Sequence, residues 1–541
     1  MPSKNKKLSS TIYSSTTTLF VPVIRLLLII FCSIEGARGV DVPLLRNSNN
    51  KPIINNEDDA VDANGGSWFD CTTDTFEDLD KDWTFNLGNG SPNPRNLTEP
   101  TPNQRREPAT HMPGWGNIEL QNYVEDATTK KKQDNGGGIE IKASVRDVSQ
   151  KELQSGADYL LRLQSFQKIH VQWFDEKDEN PSYASAMMPT MDFFKSCSDP
   201  ASCKTKFVTV GCADGDLTKC RIAFVWDNWT KTYVLSSRQD DVTNIDSVTS
   251  AEPFKGGSLD PQTLWTFQLF DDASWSIRNN ADGRFLATRM NESGSSELKC
   301  SDFSSAPESQ SLPEEARWNM QGVFSSRLFS NKDLYPPYKV TGSIQIPNGL
   351  GTWPTFWLLP ASGEERWPLS GEIDVLDHVA YENEGRSIHQ VLHVKDFHGG
   401  NPKEHTADVD DASIRLVQYA FEAFRDELRL YVDGRNTFVY KNSGETGGDN
   451  YPFLKNPFNV VLNVAVGGLW GGAKGVDFSL ANSTMIVKEV RHCESYKNNH
   501  GVQTDVIASP QEVFSNDATK GIVPLYFYLA FSYGFGVAFI L

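Results

Sequence analysis

The densest chemistry in this chain lies in Glu372-Ile373-Asp374-Val375-Leu376-Asp377, with Gly371 before it and His378 after it. Apolar and acidic residues alternate over the first three positions, so in a strand Glu372 and Asp374 project from one face, about 7 Å apart. Three carboxylates on so short a segment repel one another, and that repulsion pushes a carboxyl pKa upward. A carboxylic acid that keeps its proton near neutral pH is what a glycosidase uses to protonate a leaving oxygen. Asp377 stands an odd number of positions from Glu372, so a regular strand would turn it to the opposite face. A β-bulge at Val375–Leu376 would bring it back. A solvated acidic edge strand would carry the same residues, and only the bulge separates the two readings.

The flanks decide between them. Gly351-Thr352-Trp353-Pro354-Thr355-Phe356-Trp357-Leu358-Leu359-Pro360 is followed by Trp367-Pro368-Leu369-Ser370-Gly371-Glu372-Ile373-Asp374. This run resembles the central signature of the laminarinase-like members of glycoside hydrolase family 16. Trp115-Gly116-Asn117-Ile118-Glu119-Leu120-Gln121, Arg327-Leu328, Tyr431-Val432-Asp433-Gly434 and Asn463-Val464-Ala465-Val466-Gly467-Gly468-Leu469-Trp470 resemble further family segments in the family's order. The resemblance implies an all-β fold, a concanavalin A-like β-jelly-roll sandwich with a glucan cleft, and a retaining double displacement. It casts Glu372 as nucleophile, Asp374 as the carboxylate that orients it and Asp377 as acid/base. It places Trp353 and Trp367 on sugar faces, Asn117 and Arg327 on glucose hydroxyls, and His393 in support of the acid/base end; Trp357 is equally readable as core. Retention requires the two working carboxyls about 5 to 5.5 Å apart.

Two departures stand out. The family has Glu where this chain has Asp377, which withdraws the proton donor by about one C–C bond, ~1.5 Å, and misplacement of about 1 Å can cost on the order of a hundredfold in rate. Val487-Lys488-Glu489-Val490-Arg491-His492 carries Lys488 where the family has an Asp resembling a structural calcium ligand. Lysine cannot ligate a cation, so a structural calcium is left open but unsupported, and no cofactor is expected.

The elements that must hold these residues read as strands. Gly138–Ala143, Tyr338–Ile346 and Glu427–Gly434 alternate apolar and polar residues between turn signals, the pattern of an antiparallel sandwich with little helix. Within 150–317, Asp282-Gly283 between apolar runs marks a hairpin, and the wording around Ser274–Ala287 resembles one lobe of a β-trefoil. The expected order is a signal peptide (1–39), a linker (40–66), the first part of the sandwich (67–149), an inserted β-rich, trefoil-like domain (150–317), the second part (318–495), a linker (496–521) and an apolar tail (522–541).

A net charge of −19 over 541 residues argues against a nucleic-acid partner, which needs clustered Lys and Arg, and suits a neutral polymer such as β-glucan. The basic N-terminus followed by Leu26–Ile34 and Ala37-Arg38-Gly39 has the form of a cleaved leader. The tail reads either as a membrane helix or as a lipid-anchor signal, which makes the membrane a partner and predicts a secreted or cell-surface protein. Of 8 Cys, Cys32 leaves with the leader. The remaining odd set leaves one thiol over or paired between chains; Cys197/Cys203 and Cys212/Cys220 are close enough for small loops, and a Cys71–Cys493 bridge would staple the ends of the sandwich. Asn96, Asn228, Asn291 and Asn482 begin glycosylation sequons. The sequence sets no oligomeric state. It leaves three functions open: a β-1,3 or mixed-linkage endo-glucanase, a glucan transglycosylase, and a glucan-binding surface protein without turnover.

Overall fold

The computed structural model describes residues 66–90, 114–132, 137–166, 169–170, 207–226, 231–238, 247–253, 261–290, 296–303, 312–361, 367–442, 450–497 and 503–504. The leader, the linker at its C-terminal side up to 65, the apolar tail, Cys197/Cys203 and the acceptors Asn96, Asn228 and Asn291 lie outside them. The chain divides at Asp59/Ala60 into two compact units, and everything below concerns the second. Among the described residues no helix is long and apolar enough to cross a membrane.

Alternation builds two facing sheets. In Tyr338–Gln345 every second side chain is buried, as a half-buried strand requires. This strand lies in a nine-stranded sheet between Val417–Ala423 and Thr484–Lys497. A seven-stranded sheet runs in the order Trp83–Phe85, Arg327–Ser330, Phe458–Val466, Thr352–Pro360, Glu372–Asp377, Ser387–His393, Lys403–Asp408. Val340, Ile344, Phe421, Leu430 and Val487 from the first sheet meet Phe356, Leu358, Ile373, Leu392, Val460 and Leu462 from the second in one core. This is the all-β sandwich expected. Asp433-Gly434, both at positive φ, turns Glu427–Val432 into Arg435–Lys441, the backbone that a tight hairpin needs. Cys71 faces Cys493 across a strand pair and is bonded to it, and Cys212 is bonded to Cys220.

The middle of the chain forms a closed barrel. Tyr159–Ser165, Val208–Cys212, Cys220–Trp226, Trp265–Leu269, Trp275–Asn279 and Trp318–Ser325 pair in that order, and the last pairs back to the first. Hairpins Lys231–Arg238/Ser247–Pro253 and Phe285–Met290/Ser296–Ser301 follow the third and fifth barrel strands. Among the described residues six barrel strands and two hairpins resemble the connectivity of a β-trefoil, a fold built as a pseudo-repeat. Equivalent indoles mark it: Trp265 donates to Leu235 O at 3.0 Å and Trp318 to Leu286 O at 2.8 Å. The barrel has its own core around Trp265, Trp275 and Trp318.

The barrel is tied to the sandwich beside the functional face. The end of Trp318–Ser325 pairs in parallel with Gln121–Tyr123, and after the single residue Ser326 the chain enters the seven-stranded sheet at Arg327. The Asn122 amide accepts from Leu160 N at 2.6 Å and donates to Leu160 O at 2.9 Å.

Candidate active site

The strand Glu372–Asp377 departs from regularity where the chemistry needs it to. Against Thr352–Pro360, Trp357 opposes Asp374 and Phe356 opposes Leu376, so Val375 has no opposite residue. Against Ser387–His393, Asp374 pairs with Val391 and Asp377 with His389, three steps against two. Consecutive strand residues normally face opposite ways, yet Ile373, Val375 and Leu376 all belong to the sandwich core. One extra residue has been absorbed, and Asp377 returns to the outer face with Glu372 and Asp374.

Neighbouring strands and the turn before Glu372 dress that face. Trp367 Nε1 donates to Glu372 Oε2 at 2.7 Å, and Trp353 Nε1 donates to Asp377 Oδ1 at 3.2 Å. His393, paired with Glu372 in register, places Nε2 3.5 Å from Asp374 Oδ2 and 4.0 Å from Glu372 Oε1. Burial pushes His393 down to about 4, so the ring is neutral at physiological pH and its contacts are not ion pairs.

All three carboxyls are held above the ordinary carboxylate range, first by burial. Glu372 is pushed up to about 7, against the opposing pull of the Trp367 hydrogen bond, the Arg327 charge and Asp374. Asp374 is raised further by the charges of Glu372 and Asp377. Asp377 is raised by burial, eased by Trp353, and raised again by Glu372 and Glu119. Glu372's side chain is 16% exposed and Asp374's 4%. The proton that this pair shares therefore belongs on Asp374, which donates to Glu372 and leaves Glu372 as the anion facing the cleft.

Two walls flank the carboxyls. On one side the Arg327 guanidinium lies 4.8 Å from the Trp115 ring and 4.7 Å from the Trp357 ring, while Asn463 accepts from Trp357 Nε1 at 2.8 Å. Trp357 thus sits on the cleft face. On the Asp377 side, Trp470 meets Trp353 edge-on at 5.3 Å and His389 at 5.0 Å. Glu382 binds both, accepting from Trp470 Nε1 at 2.9 Å and meeting His389 Nε2 at 2.8 Å. Asn117 donates to Glu119 at 3.2 Å, and Gln121 donates to the other Glu119 oxygen at 2.6 Å.

Glu372, Asp374, Asp377, Trp353, Trp367, His393 and Arg327 are thus gathered on one face, with Asn117 at its margin through Glu119. Sequence reasoning did not single out Glu119, Glu382, His389, Asn463 or Trp470. Glu119, Asn463 and Trp470 stood inside recognised motifs. His389 was readable as the even-spaced neighbour of His393 on one strand face. Glu382 lies in a short 3₁₀ turn and carried no signal.

Residues 297–482 match the model of the family described as "Glycosyl hydrolases family 16". The chain is 33% identical to a beta-glucanase of Rhodothermus marinus over 156 residues, 27% of this chain and 54% of that protein. It is 28% identical to glucan endo-1,3-beta-glucosidase A1 of Niallia circulans over 267 residues, 44% of this chain and 36% of that protein. Both relatives are therefore spanned over less than two thirds of their length. The solved laminarinase from Rhodothermus marinus is 24% identical, with 40% of this chain and 80% of that chain covered and a TM-score of 0.29. Residues 297–482, which hold the signature strand and its flanks, are thus similar to glycoside hydrolase family 16 and, within it, to a laminarinase-like beta-glucanase.

Proposed function

We propose that this domain hydrolyses internal β-1,3 bonds of a glucan with retention of configuration. The observation that carries the reading is the bulge at Val375–Leu376, which returns Asp377 to the face of Glu372. Glu372, ionised and held by Trp367, attacks the anomeric carbon. Asp377, kept protonated by burial and by neighbouring negative charge, gives its proton to the leaving oxygen and later takes one from water. Asp374 holds Glu372 by its shared proton and relieves its charge as the bond forms. Arg327, Asn117 and the indole faces supply the glucan contacts. The names of the relatives, a beta-glucanase and an endo-1,3-beta-glucosidase, support this substrate class. The disulfides Cys71–Cys493 and Cys212–Cys220, found among the described residues, support an export route, where thiols are oxidised.

The test is laminarin digestion by wild type beside Glu372→Gln, with the anomer of the first product followed by NMR. New reducing ends that appear first as the β anomer, and that vanish in the variant, support the reading. Equal yields from both proteins would refute it, and a first product in the α form would refute retention.

A further inference from the structure

Glu372, Asp374 and His393 offer three ligand atoms that lie within 4.8 Å of one another. We propose that these residues form an inhibitory binding site for a divalent transition cation, with zinc as the reference ion. A tetrahedral zinc with bonds of about 2.0–2.1 Å separates neighbouring ligands by about 3.4 Å. His393 Nε2 stands 3.5 Å from Asp374 Oδ2 and 4.0 Å from Glu372 Oε1, and the two carboxyls lie within the same 4.8 Å span, so side-chain adjustment alone brings all three onto one ion.

Acidic side chains together do not make a site; the second observation is Asp374 Oδ2. It is buried without a hydrogen-bond partner, on a residue only 2% exposed, and it points at the imidazole nitrogen. An unsatisfied buried oxygen of this kind is destabilising, and a bound cation would satisfy it. With the Asp374 proton released to water on binding, two carboxylates and one neutral imidazole make a donor set that suits zinc better than magnesium or calcium, which take oxygen shells of six or more. The Glu372 side chain keeps 16% of its surface exposed, so solvent can reach an ion held there. His393 Nδ1 is buried without a partner, and a ligating histidine usually donates that N–H to an outer acceptor. The site therefore fits an exchangeable inhibitor better than a permanent structural ion. An ion held there occupies the Glu372 oxygen needed for attack. This inhibitory consequence rests on the glucanase reading, whereas the binding itself does not.

The test is equilibrium dialysis of the full chain against zinc chloride with metal analysis, joined to laminarin kinetics at several zinc concentrations. Expected are one zinc per chain at this site, competition with laminarin, affinity lowered at least about 10-fold in His393→Gln and in Asp374→Asn, and unchanged affinity in His389→Gln. A melting curve for each variant separates lost binding from lost folding. Absence of bound zinc, or wild-type affinity in folded His393→Gln and Asp374→Asn, overturns the site. Zinc bound as described to a protein that never cleaves laminarin would leave the site standing and remove the glucanase reading instead.

Discussion

Trp353 donates its indole N–H to Asp377 across 3.2 Å, while the edge of the same ring packs against Trp470. The tryptophan therefore positions the proposed proton donor besides offering a face to sugar. The hydrogen bond favours ionised Asp377 and opposes the burial that raises it. Trp353→Phe keeps most of the packing and removes the donor. Its alkaline pH limb, set by loss of the Asp377 proton, should move to higher pH, and kcat should fall by about 10- to 100-fold. A pH–rate profile of the variant checks this; an unmoved limb would mean that Asp377 is not the group that titrates there.

The shortened acid at 377 makes a sharper prediction. Asp377 is drawn toward Trp353 on the bulged strand, and the bulge corrects its facing without restoring the missing methylene. Asp377→Glu should therefore raise laminarin turnover by about tenfold, since about 1 Å of misplacement can cost on the order of a hundredfold. Single-turnover rates for the two proteins decide it. No gain would mean that the local backbone has already compensated.

The contrast between these two residues explains what the sequence could tell. Facing along a strand follows from period-two alternation, so the need for a bulge was legible from the odd spacing of Asp377 before any coordinates. The strand core was equally legible, because Tyr338–Ile346 alternates cleanly. The Glu382 clasp on Trp470 and His389 was not, because it joins a turn, a strand and a distant loop, and local pattern is silent on such contacts. The barrel fell between the two. One hairpin, at Asp282-Gly283, announced itself through turn chemistry, while the six-strand closure depends on pairings such as Trp275 with Trp318, far apart in sequence.

Asp374 should cost stability at high pH. Its folded pKa is raised above the unfolded value, so its favourable contribution is complete below about pH 4 and is lost as pH rises through the folded value. Asp374→Asn removes the ionisation while keeping the shape. Its Tm should gain on the wild type by a few degrees as pH rises from about 5 to 8, since one pKa unit is ~1.4 kcal/mol and ~1 kcal/mol moves Tm by about 2–4 °C in domains of 150–250 residues. Parallel Tm curves across that range would show that the carboxyl is not held protonated in the fold.

Arg327 acts on Glu372 through charge as well as shape. The residue is 3% exposed, its guanidinium lies over both the Trp115 and Trp357 rings, and its positive charge pulls the Glu372 pKa down. Arg327→Met keeps length and apolar bulk but removes the charge, so Glu372 should hold its proton to higher pH and the acid limb of kcat/KM should shift upward. Arg327→Lys keeps the charge but loses the planar stack between two indoles. That variant should leave the acid limb near its original position while raising KM and lowering Tm, because a strongly hydrated ammonium replaces a weakly hydrated plane in a buried slot. The paired pH profiles separate the two roles. If both variants shift the limb alike, the effect comes from disturbed packing around Trp115 and Trp357, and the electrostatic link from Arg327 to the nucleophile does not hold.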